Sequence, residues 1–279
     1  MHIADKLDIE KYAFDIPEKA YKLADKFWPG PLTLVLKKRG VISYTVSAGL
    51  DTVALRMPAN KIMLSIIKAA GVPLAAPSAN ISGSPSPTRF MHIYRDLFGK
   101  VDMLIDGGEC EIGVESTVVD MVGETPRLLR PGGITLDQLQ EAIGEVITDK
   151  GVFEKTGKHE IVSSPGMKYR HYAPKAKVIL VKGGNLTAVD YINDKADENT
   201  GIMCFDGEEK LFKKGKILSY GEKGKPLTLA NRLFDTLRKF DDTDVSIIYA
   251  RCPEISGIGL AVYNRLIKAS GFTIIEVDN

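Results

Sequence analysis

The chain has 279 residues, of which 44% are hydrophobic and 26% charged, with a formal net charge of +1. That balance excludes a charge-driven disordered chain and a globally basic nucleic-acid coat, so any basic surface must be local. Three scattered cysteines, Cys110, Cys204 and Cys252, make neither a CxxC pair nor a disulfide framework, which fits a reducing cytoplasm. The length suits two domains. No apolar run approaches the ~18 residues of a membrane span, and the polar start MHIADKLDIEKYAFD does not read as a leader, so no membrane partner is expected.

A first block, residues 1–150, alternates strands and helices. After a helix-like opening, residues 17–27 predict a helix begun by Pro17, with Ala20, Leu23, Ala24 and Phe27 on one face. WPGPLTLVL gives a turn and a strand, and DTVALRMP a second strand stopped by Pro58. NKIMLSIIKAAG is an amphipathic helix closed by Gly71. PLAAP reads as a buried strand. Ser86-Pro87 reads as the N-cap and first position of the helix TRFMHIYRDLFG, whose His92 is expected to face solvent. MLIDGG and STVVDMV read as strands, PRLLRPG follows, and TLDQLQEAIG is a helix capped by Thr135. Residues 151–175 are an aperiodic linker, aromatic and basic rather than flexible, and expected to dock on something. Residues 176–279 return to a βαβ rhythm: strands in AKVILVKGG, TGIMCFDG, KGKILSYG, DVSIIYARCP and FTIIEV, helices in LTAVDYINDKADEN, LTLANRLFDTLRKFDD and GLAVYNRLIKASG. The expected class is α/β, with a small Rossmann-like parallel sheet at the C-terminus. Gly183-Gly184 alone is not a GxGxxG dinucleotide fingerprint.

The most informative stretch is PLAAPSANISGSPSPT, residues 73–88. Ser78, Asn80, Ser82, Ser84, Ser86 and Thr88 fall at every second position, and no charge stands between Lys68 and Arg89. With Gly83 for close backbone approach, such a loop suits a polyphosphate or another oxyanion brought to a helix N-terminus. An ordinary Ser/Pro turn uses the same residues. Arg56, in an otherwise apolar strand, needs an anionic partner, either a carboxylate ligand or a structural salt bridge. Ser116 in GVESTVVD is placed to hydrogen-bond a small substrate or to start a strand, and no histidine lies nearby in sequence to make it a nucleophile. Arg130, before Pro131-Gly132, is placed for a phosphate or for solvent. His2, His92, His159 and His171 lack metal-ligand spacing. On the C-terminal helices, Asn231, Arg232, Asn264 and Arg265 read as solvated polar groups. A hydroxyl loop, strand-end arginines and no nucleophile–base pair suit a nucleotide handled by positioning and charge neutralisation, with no catalytic residue assigned.

WPGPLTLVL, TVALRMP, PLAAPSANISGSPSPT, DGGECEIGVESTVVD and RLLRPGGIT, in that order, resemble the YrdC-like domain of threonylcarbamoyl-AMP synthases. SSPGMKYRHYAPKA and the Asn264-Arg265-Leu266 helix resemble the linker and small C-terminal domain of the long form of that family. The resemblance implies a twisted, mixed, open sheet with flanking helices for the first domain. It implies a nucleotidyltransferase that converts L-threonine, bicarbonate or CO2 and ATP, with Mg²⁺, into threonylcarbamoyl-AMP and pyrophosphate. The product serves modification of the adenosine next to the anticodon of certain tRNAs, so tRNA or a downstream threonylcarbamoyl-transferase complex would be a partner. Carried over by position, Thr52, Ser78, Asn80, Ser86 and Arg130 would contact ATP. Arg56, Ser116 and the backbone around Ala76 would hold threonine, and Tyr169, His171 and Tyr172 would close over the nucleotide as a lid. The family opens with a Pro-Thr-Glu-Thr-like motif and a Lys-x-Arg pattern ahead of a segment like HIAD, where this chain starts. Lys37-Lys38-Arg39 and Lys168-Tyr169-Arg170 fit that pattern as strings but lie elsewhere, as decoys. The expectation is a catalytic domain without its N-terminal part, binding substrates weakly or not at all. Three rivals stand beside this reading, one of them a degenerate regulatory fragment, which the missing N-terminal part keeps open. A carbamoyl-transferring maturation factor would carry zinc-binding CxxC pairs, and a non-catalytic RNA-binding YrdC-like module would call for more positive charge.

Overall fold

The structure is a computed structural model that describes residues 1–155 and 172–277. Its elements in chain order are α1 (Ile9–Tyr12), α2 (Glu18–Phe27), β1 (Leu32–Lys37), β2 (Thr52–Leu55), α3 (Lys61–Ala70), α4 (Phe90–Leu97), β3 (Thr117–Asp120), β4 (Arg127–Arg130), α5 (Leu136–Ile143), β5 (Ile147–Thr148), β6 (Lys177–Lys182), α6 (Asn185–Lys195), β7 (Thr200–Cys204), β8 (Lys216–Ser219), α7 (Pro226–Phe240), β9 (Ile247–Arg251), α8 (Gly257–Ala269) and β10 (Ile274–Glu276). They form two compact units. Met1–Pro77 joins Glu115–Val152 in one, and Ser78–Val114 joins Phe153–Asn279 in the other. The segment 78–114 thus groups with the C-terminal half of the chain, across the expected blocks 1–150, 151–175 and 176–279.

The first unit is a mixed sheet in the order β2-β1-β3-β4-β5. β1 runs antiparallel to β2 and parallel to β3, which is antiparallel to β4. Alternation along β1 sends Leu32, Leu34 and Leu36 to one face and Val35 to the other. On the first face they pack with Val53, Leu55, Val119 and Leu128 beneath Ala20, Leu23 and Ala24 of α2 and Leu139 and Ile143 of α5. Asn60 caps α3 by accepting the Met63 N–H, and Gly71 ends it in the left-handed region at φ 68°. Thr135 and Gln138 form a reciprocal capping box on α5.

The second unit carries an all-parallel sheet in the order β10-β6-β9-β7-β8. Val178, Leu180, Met203, Ile248 and Ala250 face α7 and α8. Ile179, Val181, Ile202 and Tyr249 face Ala188, Val189 and Ile192 of α6. Helices on both faces explain why these strands are apolar runs rather than alternating ones. The segment before β3 belongs here because it lies along α7. Asn231 Nδ2 donates to the carbonyls of Cys110 and Glu111 at 3.1 and 2.9 Å. A Cβ on Gly113 (φ +81°) would collide with the Ala230 and Asn231 backbone.

Five local expectations are corrected. PLAAP is not a buried strand: only Leu74 forms a bridge, to His2, and Pro73 and Pro77 have no N–H to give a ladder. MLIDGG is not a strand either. Met103 and Ile105 are exposed, and Asp106 closes a local turn on the Gly108 N–H. Ser86 does not cap a helix: α4 starts at Phe90, after the His92 ring has taken the Thr88 N–H at 3.2 Å. His92 is buried, not solvent-facing. Asn264 and Arg265 are fully buried, because α8 is covered nearly all round, and Arg265 donates to Asn264 Oδ1.

Candidate functional site

In the first unit, strand register gathers the candidate residues at one end of the sheet. β2 is antiparallel to β1 with Leu55 opposite Leu34, so Arg56 continues toward Thr33. β3 is parallel to β1 with Thr117 opposite Leu32, so Ser116 lies at the same end, and Arg130 pairs with Val118 there. The side chains interlock. Ser116 Oγ is 2.7 Å from Thr33 Oγ1. Arg130 donates through Nε to the Ser116 carbonyl at 3.1 Å and through Nη2 to Ser116 Oγ at 3.2 Å. Arg130 therefore fixes Ser116 rather than hanging in solvent. Arg56, half-buried, donates through Nε to the Gly30 carbonyl at 3.0 Å. Thr52 shares a face of β2 with Arg56 but sits at its other end, about 13 Å away along the strand. Ala76 is exposed.

Two residues at this end escaped the sequence reading. Thr33 is the one hydroxyl in the apolar run of β1, a signal that was available. His2 forms a backbone bridge to Arg56, and its buried Nδ1 has no hydrogen-bond partner. Burial, reinforced by the Arg56 charge, lowers the His2 pKa to about 4, so the imidazole is neutral at pH 7. A buried polar atom without a partner carries a penalty of about 1–3 kcal/mol, which a ligand can relieve.

In the second unit, the loop holding Ser78, Asn80 and Ser86 is folded on itself. Asn80 Nδ2 donates to the Ile81 and Ser84 carbonyls at 2.8 and 3.2 Å. Gly83 takes φ 90°. Ser78 is exposed and Ser86 buried. Asn80 Oδ1 and Thr88 Oγ1 are buried without partners. Among the described residues the buried side-chain atoms in this condition are these two and His2 Nδ1, so all of them fall on the two candidate segments. Tyr172 is buried at φ 65° with its ring 5.3 Å from that of Phe234, and Tyr169 and His171 lie outside the described residues. Of the decoy strings, Lys38 is structural, its ammonium over the Tyr44 ring and donating to the Ile42 carbonyl, and Lys168-Tyr169-Arg170 lies outside the described residues. No group of three His, Cys, Asp or Glu side chains among the described residues could hold a metal ion.

Residues 1–132 match the Sua5/YciO/YrdC family model, described as telomere recombination, and residues 134–271 match the threonylcarbamoyl-AMP synthase C-terminal domain. The chain is 44% identical to the threonylcarbamoyl-AMP synthase of Pyrococcus abyssi, over 99% of this chain and 81% of that protein. The chain belongs to the threonylcarbamoyl-AMP synthase family. A second synthase, from Bacillus subtilis, is 41% identical over 99% of this chain and 80% of its own length. The crystal structure of P. abyssi Sua5 complexed with L-threonine superposes with a TM-score of 0.92, covering 99% of this chain and 81% of that one. As a family member the chain has the expected mixed α/β fold, one mixed and one all-parallel sheet. No helix among the described residues is long and apolar enough to cross a membrane.

Proposed function

We infer that the chain is a threonylcarbamoyl-AMP synthase, which couples L-threonine to ATP with release of pyrophosphate. The observation that carries this reading is near-full-length likeness to synthases, one of them solved with L-threonine. The likeness runs through nearly the whole chain and gives no support to the expectation of an inert fragment. The carbon comes from bicarbonate or CO2. The threonine amine adds to CO2 and loses a proton, a carbamate oxygen attacks the α-phosphorus, and the bond to the β-phosphate breaks.

Roles follow from chemistry at each position. Arg56 forks the threonine carboxylate. Ser116, held by Thr33 and Arg130, and the neutral His2 imidazole hydrogen-bond the polar groups of the amino acid, with the backbone near Ala76 alongside. Ser78, Asn80 and Ser86 take the nucleotide, the unpartnered Asn80 Oδ1 accepting an adenine amine or ribose hydroxyl. Thr52 and Arg130 are further ATP contacts, Arg130 at the Ser116 end of the sheet and Thr52 at the far end of β2. Tyr169, His171 and Tyr172 would close over the nucleotide. Mg²⁺ would arrive with ATP and supply neutralisation of the phosphate charge. The product passes to a tRNA-modifying transferase in the cytoplasm. Pyrophosphate release by the purified chain should require threonine and bicarbonate together. Arg56→Lys should raise the threonine KM about tenfold while moving the ATP KM little, since lysine cannot fork a carboxylate. A folded chain with no threonine-dependent pyrophosphate release would overturn the assignment.

A further inference from the structure

We propose that Arg238, on α7 of the Rossmann-like half, is a positioning residue for the loop 78–88. The inference rests on the assignment of that loop to ATP. The Arg238 guanidinium divides its donors between two partners. Nη1 and Nη2 reach Asp96 Oδ1 and Oδ2 at 3.2 and 2.7 Å, while Nε and Nη2 reach the Pro85 carbonyl at 3.0 and 2.6 Å. Asp96 also accepts the Ile81 N–H at 3.4 Å. One guanidinium therefore grips the loop at Pro85 directly and at Ile81 through Asp96. Between those points, the Ala173 N–H donates to the Gly83 carbonyl at 3.0 Å.

A second relay leaves the same helix. Asp235, one turn before Arg238, lies 3.2 Å from His92 Nε2, and His92 Nδ1 accepts the Thr88 N–H at 3.2 Å. The Arg238 and Asp96 side chains are only 11% and 12% exposed, so their pair is weakly screened. Burial pushes the Asp96 carboxyl up, but the hydrogen bonds and charge of Arg238 outweigh it and the net shift is downward. Asn80 sits just before the gripped segment, with its amide already folded onto the loop. α7 thus sets the loop's shape before a nucleotide arrives and lowers the ordering cost of binding it.

The test compares Arg238→Gln, Arg238→Lys and Asn80→Ala in the full chain, by amide hydrogen exchange and by calorimetric titration with ATP. Arg238→Gln should speed exchange across 78–90 by about tenfold, leave β6 and β9 unchanged, and weaken ATP about tenfold with little change in the threonine KM. Arg238→Lys should fall between, because a point charge keeps Asp96 but cannot also fork Pro85. Unchanged loop exchange in Arg238→Gln, or a rise spread evenly over β6 and β9, overturns the positioning role. Faster loop exchange with ATP affinity intact in both Arg238→Gln and Asn80→Ala would instead overturn the ATP assignment while leaving the grip in place.

Discussion

His2, bridged to Arg56 through the backbone and half-buried there, titrates far from the ordinary histidine range. Burial first, then the Arg56 charge, lower the His2 pKa to about 4 from 6.5. The folded chain binds this proton more weakly than the unfolded chain. Its contribution to stability is therefore complete above pH 6.5 and is lost as pH falls toward 4. An NMR titration of the histidine rings should find one midpoint near 4, and His2→Asn should flatten the loss of stability between those pH values; midpoints all clustered near 6.5 would contradict it. At this scale the sequence was partly legible. Arg56, Ser116 and Arg130 stood out as polar groups at the ends of apolar runs. Thr33, the one hydroxyl of β1, left a trace that went unread, and His2 left none, because its importance depends on which strand lies beside it and register is not written in either segment alone.

At the scale of elements, strands and helices with strong periodicity and clear end signals were readable: α5 from Thr135, α3 from Gly71, β6 and β9 as apolar runs. PLAAP and MLIDGG misled because an apolar run is also what a segment with no ladder partner looks like. The β3–β4 corner yields a prediction. A Cβ on Gly132 would collide with the Thr117 amide and crowd the backbone of Glu115 and Ser116. Thr117 is itself locked, its Oγ1 accepting the Ile134 N–H at 2.9 Å and donating to the Ile134 carbonyl at 2.6 Å. Gly132→Ala must therefore push Ser116 away from Thr33 and Arg130. We expect a loss of about 1–3 kcal/mol in denaturant unfolding, the usual range for overpacking, together with a raised threonine KM. Wild-type values for both would show that the corner yields without cost.

At the scale of the molecule, order of motifs along the chain was enough to reveal the family, but not which residues fold together. The family models divide the chain near residue 133, at the junction of the 1–132 and 134–271 matches, whereas the compact units place 78–114 with the C-terminal half. The ties responsible, Arg238 with Asp96 and Asn231 with Cys110 and Glu111, span more than a hundred positions and leave no local pattern. A fragment ending at Val152 keeps α4 but loses α7, so Asp96 loses Arg238 and His92 loses Asp235. Such a fragment should bind a hydrophobic dye and exchange its amides fast across 78–114, while the first unit, complete within it, keeps a cooperative melt. Exchange across 78–114 as slow as in the whole chain would refute the grouping.

The tie between Asp96 and Arg238 also sets a clock. The two residues are 142 positions apart. At ribosomal speeds of about 5–20 residues per second, α4 leaves the exit tunnel roughly 7–28 s before the helix that completes its surroundings. During that interval Met91 and Phe98, exposed even in the finished fold, stand beside a carboxylate still waiting for its cation. Newly made chains thus pass through a window of that length in which α4 stands without Asp235 and Arg238, the α7 partners of its His92 and Asp96.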